Sequence, residues 1–93
     1  MSAGPKIDVS IIIVNWNTAG LLIQCLESIY KTIHHYSIEI VVVDNGSKDD
    51  SVSLVAQHFP SVILIKNEQN LGFAHANNQG LSIGSGRYFL LLN

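Results

Sequence analysis

The sequence predicts an α/β fold in which a parallel sheet carries helices on both of its faces. Four short apolar runs rich in Ile, Val and Leu alternate with three stretches of helical spacing, so the predicted element order is βαβαβαβ. The apolar runs are continuous rather than alternating, which is typical of parallel strands that are covered on both sides. Crossover connections between such strands are right-handed in nearly all proteins.

The first half of the chain contains two strands and two helices. The first strand is predicted at Val9 to Val14, and its helix follows from about Ala19 to Ile33, with Leu and Ile residues on one face. The second strand is predicted at Glu39 to Val43. We expect the second helix to begin at Ser47, whose hydroxyl would cap the first amides, and to end before Pro60.

The second half adds two strands and one helix. A strand is predicted at Ser61 to Lys66 and a helix at about Phe73 to Ile83, which the sequence Gly84-Ser85-Gly86 ends. The last strand is predicted at Arg87 to Leu92, where most side chains are apolar. A strand of this kind at the open edge of a sheet can pair with a second copy, so we expect a homo-oligomer formed through this edge.

Size and composition point to one domain, residues 1–93, with no internal linker. Hydrophobic residues make up 47% and charged residues 13%, which excludes a disordered segment. The net charge of −2 excludes a nucleic-acid partner, because it provides no basic surface. Cys25 is the only cysteine, so no disulfide can form within the chain. With no signal peptide and no apolar run of about 20 residues, a cytoplasmic location is expected.

Polar residues follow the first two strands, at the sheet edge where open α/β sheets bind ligands. These are Asn15-Trp16-Asn17 and Asp44-Asn45-Gly46-Ser47. Trp16 could form a wall against a base, and Asp44 could accept a hydrogen bond from an imide or a ribose hydroxyl. Each residue also has a structural interpretation: Trp16 as a partly buried packing residue, and Asp44 as the side chain that holds a turn. The pattern predicts a nucleotide pocket and leaves both interpretations open.

Two common nucleotide-binding motifs are missing. The first turn, Asn15 to Gly20, contains neither GxGxxG nor GxxxxGK[ST], which excludes the dinucleotide-binding and phosphate-loop classes. The third predicted helix contains Asn77 and Asn78 next to each other, although Asn is unfavourable inside helices. Hydrogen bonds that tie nearby loops are the favoured explanation for this pair, ahead of direct ligand contact.

Four segments, in this order and spacing, resemble the N-terminal nucleotide-binding half of a family 2 glycosyltransferase of the Rossmann-like GT-A fold. They are VSIIIVNWN, VVVDNGSKDDS, NEQNLGFAHANNQG and GRYFLLLN. The first and third segments look most like those of bacterial rhamnosyltransferases and related enzymes of cell-surface polysaccharide synthesis. The resemblance extends over nearly the whole chain from Val9 onward.

The resemblance implies that a nucleotide-sugar donor, either a dTDP-sugar or a UDP-sugar, binds at the ends of the first strands. Val14 and Trp16 would border the base, and Asp44 would contact the base or the ribose. Asn45 would fix the turn beside Asp44 and belong to the same site, and Asn78 would join it from the third helix. These five residues are the predicted nucleotide-binding set.

The resemblance also implies chemistry that lies outside this sequence. In the complete enzyme, a divalent cation, Mn²⁺ or Mg²⁺, would neutralise the leaving diphosphate, and a carboxylate would activate an acceptor hydroxyl for inversion. Both the metal motif and the base would follow Asn93, so we expect a truncated domain without catalytic or metal-binding residues and without activity of its own. The complete enzyme would work in the cytoplasm, at the inner face of the membrane.

Two other functions are compatible with the sequence. A different α/β nucleotide binder, such as a nucleotidyltransferase, would need glycines and basic residues in the first turn, and Asn15 to Gly20 carries no basic residue. A non-catalytic module for folding or interaction is favoured by the apolar last strand.

Overall fold

The computed structural model describes residues 6–92, and this range forms four strands and three helices. The elements are β1 (Val9–Asn15), α1 (Ala19–Thr32), β2 (Ile38–Asp44), α2 (Ser51–His58), β3 (Ile63–Lys66), α3 (Phe73–Ile83) and β4 (Tyr88–Leu92). All three strand pairings are parallel, and the strand order is β3-β2-β1-β4. The predicted α/β fold and its element order are confirmed.

The order of the strands reverses at β1, which lies between β2 and β4. The pairing of β1 with β2 runs to the last residue of each strand, where Asn15 lies opposite Asp44. On the other side of β1, Ile13 pairs with Leu92 of β4. In open α/β sheets the place where the order reverses is the usual ligand site, so the carboxyl ends of β1 and β2 lie in the expected position.

The strands place alternate side chains on two separate apolar clusters. On one face, β1 and β2 pack against α1 and α2 through a cluster of aliphatic residues: Ile11, Ile13, Leu22, Leu26, Ile29, Ile40, Val42, Val55 and Val62. On the other face, α3 contributes Ala76 to a smaller cluster with Ile12, Val41 and Val43. A side chain at Gly80 would collide with Ile12, so the glycine lets α3 lie close to the sheet. Helices therefore cover both faces, as predicted.

The predicted start of α2 is wrong: the helix begins at Ser51 rather than at Ser47. The Ser47 hydroxyl does not cap the helix, because it donates to Asp44 Oδ1 at 2.7 Å and accepts from the Asn17 amide at 2.8 Å. The first turn of α2 is held instead by Asp49, whose Oδ1 accepts from the Ser51 amide at 3.0 Å.

The β4 strand lies at an edge of the sheet and pairs with β1 alone within the described range. Its first four side chains are exposed, from 41% for Phe89 to 67% for Tyr88, whereas Leu92 is half-buried. The open apolar edge that the sequence predicts is therefore present, while pairing with a second copy stays a prediction. None of the helices described for residues 6–92 is long and apolar enough to cross a membrane.

Candidate functional site

A buried pair of polar side chains closes the sheet where β1 and β2 end. Asn15 donates from Nδ2 to Asp44 Oδ1 at 2.9 Å, and both residues are only 2% exposed. Thr18 donates from its hydroxyl to Asn15 Oδ1 at 2.7 Å. Buried polar groups are stable only when they have hydrogen-bond partners, so this pair depends on the two turns around it.

Further hydrogen bonds join the turn after β1 to the turn after β2. Asn17 has a left-handed backbone, with φ of 55°, and its Oδ1 accepts from the Lys48 amide at 2.7 Å. Its own amide donates to Ser47. The first amide of α1, at Ala19, donates to Asp49 Oδ2 at 3.1 Å. The two turns therefore form one hydrogen-bonded unit, which we call the paired turns (residues 15–19 and 44–51).

Asp49 stabilises the first turns of two helices at once, because it accepts from α1 and from α2. The Ser51 hydroxyl is the main cause of a lowered pKa at Asp49; burial opposes this effect, and the amides of Ser51 and Ala19 strengthen it. A carboxylate at a helix N-terminus also interacts favourably with the helix dipole. Asp49 therefore has a structural role at the start of both helices.

Asp44 belongs to the predicted nucleotide-binding set, and both of its carboxylate oxygens already accept hydrogen bonds. Oδ1 accepts from Asn15 and from the Ser47 hydroxyl, and Oδ2 accepts from the Ser47 amide at 2.9 Å. The carboxylate therefore holds the turn, as one of its two interpretations predicts. Contact between Asp44 and a nucleotide stays a prediction.

Asn45 is equally buried and faces the loop that leads into α3. Its Oδ1 accepts from Asn67 Nδ2 at 3.0 Å and from the Leu71 amide at 3.3 Å, while its Nδ2 donates to the Gly72 carbonyl at 3.1 Å. Asn67 in turn bonds to Gln79 of α3. Asn45 therefore ties the end of β2 to the start of α3.

Gly46 lets this loop lie directly on the turn. Its φ is +79°, and an added Cβ would lie 2.7 Å from the Cα of Gln69. Both the backbone conformation and the space require glycine.

The other three predicted residues differ in their surroundings. Val14 is half-buried and packs against the α3-side cluster. Trp16 is 54% exposed beside the carboxyl end of β1, so about half of its surface is in solvent, and its contact with a base stays a prediction. Asn78 is exposed on α3, whereas its neighbour Asn77 is 6% exposed, and Asn77 Oδ1 has no hydrogen-bond partner among the described residues.

The structure brings Val14, Trp16, Asp44 and Asn45 to one edge of the sheet, because they lie at or just beyond the carboxyl ends of β1 and β2. Sequence reasoning placed Asn15 among the polar residues at the end of the first strand but did not predict its bond to Asp44. It missed three other polar residues that hold this edge together: Thr18, Asn67 and Gln79. The partners of Asn67 are 12 and 22 residues away, so no local pattern points to them.

A cavity of about 250 Å³ opens beside this edge, between α1 and β4. Its lining is mainly apolar, with Asn15 and Thr18 as polar members, and it includes Val14, Cys25 and Leu92. The volume lies below the roughly 300–1,000 Å³ that is usual for pockets holding drug-sized ligands. We therefore place the candidate nucleotide surface on the exposed edge itself rather than inside this cavity.

The described residues do not fit a metal ion. Across residues 6–92, no three His, Cys, Asp or Glu side chains lie close enough together to hold one.

Comparison with known proteins identifies the family. The sequence profile described as Glycosyl transferase family 2 matches residues 10–93. The chain belongs to this family. Solved structures of glycosyltransferases share its GT-A sheet and helices.

Two relatives illustrate the range of the family. Over 88 residues, the chain is 31% identical to glycosyltransferase GlyG of Streptococcus pneumoniae, covering 91% of this chain and 29% of that protein. It is 35% identical over 92 residues to the Escherichia coli enzyme WfaP, named UDP-Glc:alpha-D-GlcNAc-diphosphoundecaprenol beta-1,3-glucosyltransferase, covering 91% of this chain and 34% of WfaP. The chain thus spans roughly a third of the length of these curated relatives.

Two solved structures show the same fold. The mannosyltransferase PcManGT of Pyrobaculum calidifontis, in complex with GDP-Man and Mn²⁺, superposes with a TM-score of 0.71 at 30% identity, over 87% of this chain and 25% of PcManGT. Residues 1–349 of Staphylococcus aureus TarS superpose with a TM-score of 0.82 at 23% identity, over 92% of this chain and 27% of TarS. The second likeness is evidence for the fold alone.

Proposed function

We propose that residues 1–93 are the donor-binding domain of a glycosyltransferase that adds a sugar to a cell-surface polysaccharide or glycolipid. The observation that carries this proposal is the pair of hydrogen-bonded turns at the carboxyl ends of β1 and β2, in a chain of family 2. Rigid polar turns at this edge present side chains to a ligand with little loss of conformational entropy on binding.

The proposed donor is a dTDP-sugar or a UDP-sugar. The exposed Trp16 ring offers a stacking surface for the base, and the half-buried Val14 lies two residues before it, near the end of β1. Asp44 and Asn45 would contact the base or ribose at the end of β2, and Asn78 would approach from α3. The name of WfaP includes UDP-Glc and supports a UDP-sugar, and the resemblance to rhamnosyltransferases makes dTDP-rhamnose a donor to test.

The proposed reaction inverts the anomeric carbon, with an acceptor hydroxyl as the nucleophile. In the complete enzyme, a divalent cation would supply Lewis-acid stabilisation of the leaving diphosphate, and Mn²⁺ in the PcManGT complex supports this assignment. The cation and the catalytic base are assigned to regions of the relatives that this chain does not span, so the domain alone binds and orients the donor without turnover. We place the enzyme in the cytoplasm, at the inner face of the membrane.

The test is a titration of the ¹⁵N-labelled chain with UDP, dTDP and GDP, followed by amide NMR with and without Mn²⁺. We expect saturable shifts at the Trp16 indole and at residues 44–47, larger for the pyrimidine nucleotides than for GDP. The same shifts without Mn²⁺ are expected, because residues 6–92 hold no cluster of metal ligands. A folded chain whose spectrum does not change with any nucleotide would overturn the proposal.

A second role, self-association through β4, is favoured by the exposure of this strand. Tyr88 to Leu92 carries no charge and no proline, the features that usually protect an edge strand from pairing. Two antiparallel copies centred on Leu90 would continue the sheet and cover apolar side chains on both of its faces.

Sedimentation equilibrium measures this self-association directly. We expect the wild-type chain to form a dimer at micromolar concentrations and Leu90→Lys to be a monomer. The control is Leu81→Lys on α3, where the leucine is also partly exposed, and this variant should remain a dimer. A wild-type chain that stays monomeric at about 100 μM would contradict the proposed dimer, because stable interfaces usually have tighter dissociation constants.

A further inference from the structure

The chain between α3 and β4, which we call the α3–β4 connection (residues 84–87), lies directly on the start of β1. An added Cβ at Gly86 would lie 2.5 Å from the Ser10 amide nitrogen, so only glycine allows this approach. Ser10 has no exposed surface, and it pairs with Glu39 of β2 on one side and with Phe89 of β4 on the other. The connection therefore closes over the point where three strands meet.

One carboxylate oxygen holds this connection. Glu39 Oε2 accepts from the Ser85 amide at 2.5 Å, from the Ser85 hydroxyl at 3.1 Å and from the Ser10 hydroxyl at 2.5 Å. The Ser10 oxygen in turn accepts from the Gly86 amide at 2.8 Å. A hydroxyl can donate one hydrogen bond and accept another at the same time, so Ser10 links Gly86 to the carboxylate. Glu39 therefore holds two consecutive amides, one directly and one through Ser10.

The β4 strand has few other attachments. It pairs with β1 alone within residues 6–92, and the side chains of its first four residues are between 41% and 67% exposed. Segments that bury little apolar surface open locally at a lower free energy than the core does. Hydrogen bonds to a charged group are stronger than those between neutral groups, so loss of the Glu39 charge should affect β4 before the rest of the sheet.

We propose that Glu39 is a pH-dependent latch for the edge strand. Its carboxylate holds the α3–β4 connection and β4 on β1, and its protonation releases them while β1, β2 and β3 stay paired. Burial raises the pKa of Glu39, and the hydrogen bonds from Ser10 and Ser85 outweigh this effect and lower it. A carboxylate with a lowered pKa stabilises its bonded state at neutral pH, and this effect is lost as pH falls through that pKa. The latch is thus closed at neutral pH and opens in acid.

Other charged groups leave this titration to Glu39. The charged or titratable side chains on α3 and β4, or just before β1 and β4, are Lys6, Asp8, His75, Arg87 and Tyr88. In the described range, none of them contributes to the lowered pKa of Glu39, whose causes are burial and hydrogen bonds. Asp8 accepts from the Ser37 amide at 2.8 Å, and the Arg87 guanidinium lies 5.9 Å from the centre of the Tyr88 ring. Release of β4 should therefore follow the protonation of Glu39 itself.

Amide hydrogen exchange of the ¹⁵N-labelled chain, followed by NMR, tests the latch strand by strand. Protection is measured between pH 6 and pH 3 and corrected for the intrinsic exchange rate at each pH. We expect protection to fall about tenfold at Ser85, at Gly86 and at the β4 amides that bond to β1. Protection of the β2 amides should stay within about twofold. The wild-type chain is sufficient for this comparison, so the result does not depend on the folding of a variant.

Two variants and a control then assign the effect to Glu39. Glu39→Gln removes the charge at every pH, so β4 should already be about tenfold less protected at pH 6 and should change little on acidification. Ser10→Ala removes the link to Gly86 and should also lower the protection of β4 at pH 6. Glu27→Gln is the matched control, because Glu27 is exposed on α1, and it should behave as the wild-type chain does.

Three results would overturn the latch. An equal loss of protection in β2 and β4 on acidification would mean that Glu39 stabilises the sheet as a whole. Wild-type β4 amides that are unprotected at pH 6 would mean that no strand is held there. Equal protection of β4 in Glu39→Gln and Glu27→Gln would mean that the carboxylate does not hold it.

Discussion

Replacement of Asp44 tests whether its carboxylate holds the paired turns. Asp44→Ala removes an acceptor that serves Asn15 and both the amide and the hydroxyl of Ser47. Hydrogen bonds to a charged group contribute about 1.5–3 kcal/mol each. Asn15 Nδ2 would still reach the Ser47 hydroxyl, at 3.3 Å, so the main uncompensated loss is at the Ser47 amide. Because removing a buried charge also relieves its desolvation cost, we expect a net destabilisation of about 3 kcal/mol.

Urea unfolding followed by circular dichroism measures this loss. Asp44→Asn keeps one acceptor oxygen and places an NH₂ group against the Ser47 amide, so it should lose about half as much free energy. Asp50→Ala is the matched control, because Asp50 is exposed in the same turn, and its free energy of unfolding should change by less than about 0.5 kcal/mol. A loss below about 1 kcal/mol for Asp44→Ala would refute the structural role derived from these contacts.

Two further predictions concern other parts of the chain. Burial raises the pKa of Glu39, but hydrogen bonds from Ser10 and Ser85 outweigh it and hold the pKa below its ordinary value of 4.5. The contribution of Glu39 to stability is therefore present above about pH 4.5 and lost as pH falls through the lowered pKa. The free energy of unfolding should fall between about pH 5 and 3, and Glu39→Gln should make this fall less steep. An equally steep fall in the variant would count against this contact. Gly46→Ala should lower the free energy of unfolding, measured with urea, by about 2–4 kcal/mol, because Gly46 has a left-handed backbone and an added Cβ would clash with Gln69. The control is Gly20→Ala, where a Cβ meets nothing within 4 Å, and it should be neutral or stabilising. Similar effects of the two alanines would contradict the close approach of the loop.

The element order could be predicted because it depends on local patterns. Continuous aliphatic runs such as Ile11 to Ile13, bounded by polar turn residues, are typical of buried parallel strands. The start of α2 could not be predicted in this way. Ser47 is a suitable capping residue by its local sequence, but its hydroxyl bonds to Asp44 and to the distant Asn17 instead. Strand order is also non-local: a right-handed crossover fixes the face on which a helix lies, but not the side of β1 on which β4 pairs.

The candidate site was predictable to a similar extent. The ends of β1 and β2 were visible as polar residues after apolar runs, which led to Trp16 and Asp44. The sequence does not show which of these residues is buried and holds a turn and which is exposed to solvent. Burial of Asp44 and exposure of Trp16 depend on which neighbouring turns close over them, and the partners concerned are about 30 residues away.

The paired turns have a consequence for engineering and for divergence within the family. The two turns form a single structural unit, although α1 lies between them along the chain. Three hydrogen bonds join them: Asn15 to Asp44, Lys48 to Asn17, and Ala19 to Asp49. A graft of one turn from a relative would leave its donors and acceptors facing the wrong counterparts. Chimaeras that exchange both turns together should keep the edge intact, and substitutions in one turn should persist in descendants only alongside matching changes in the other.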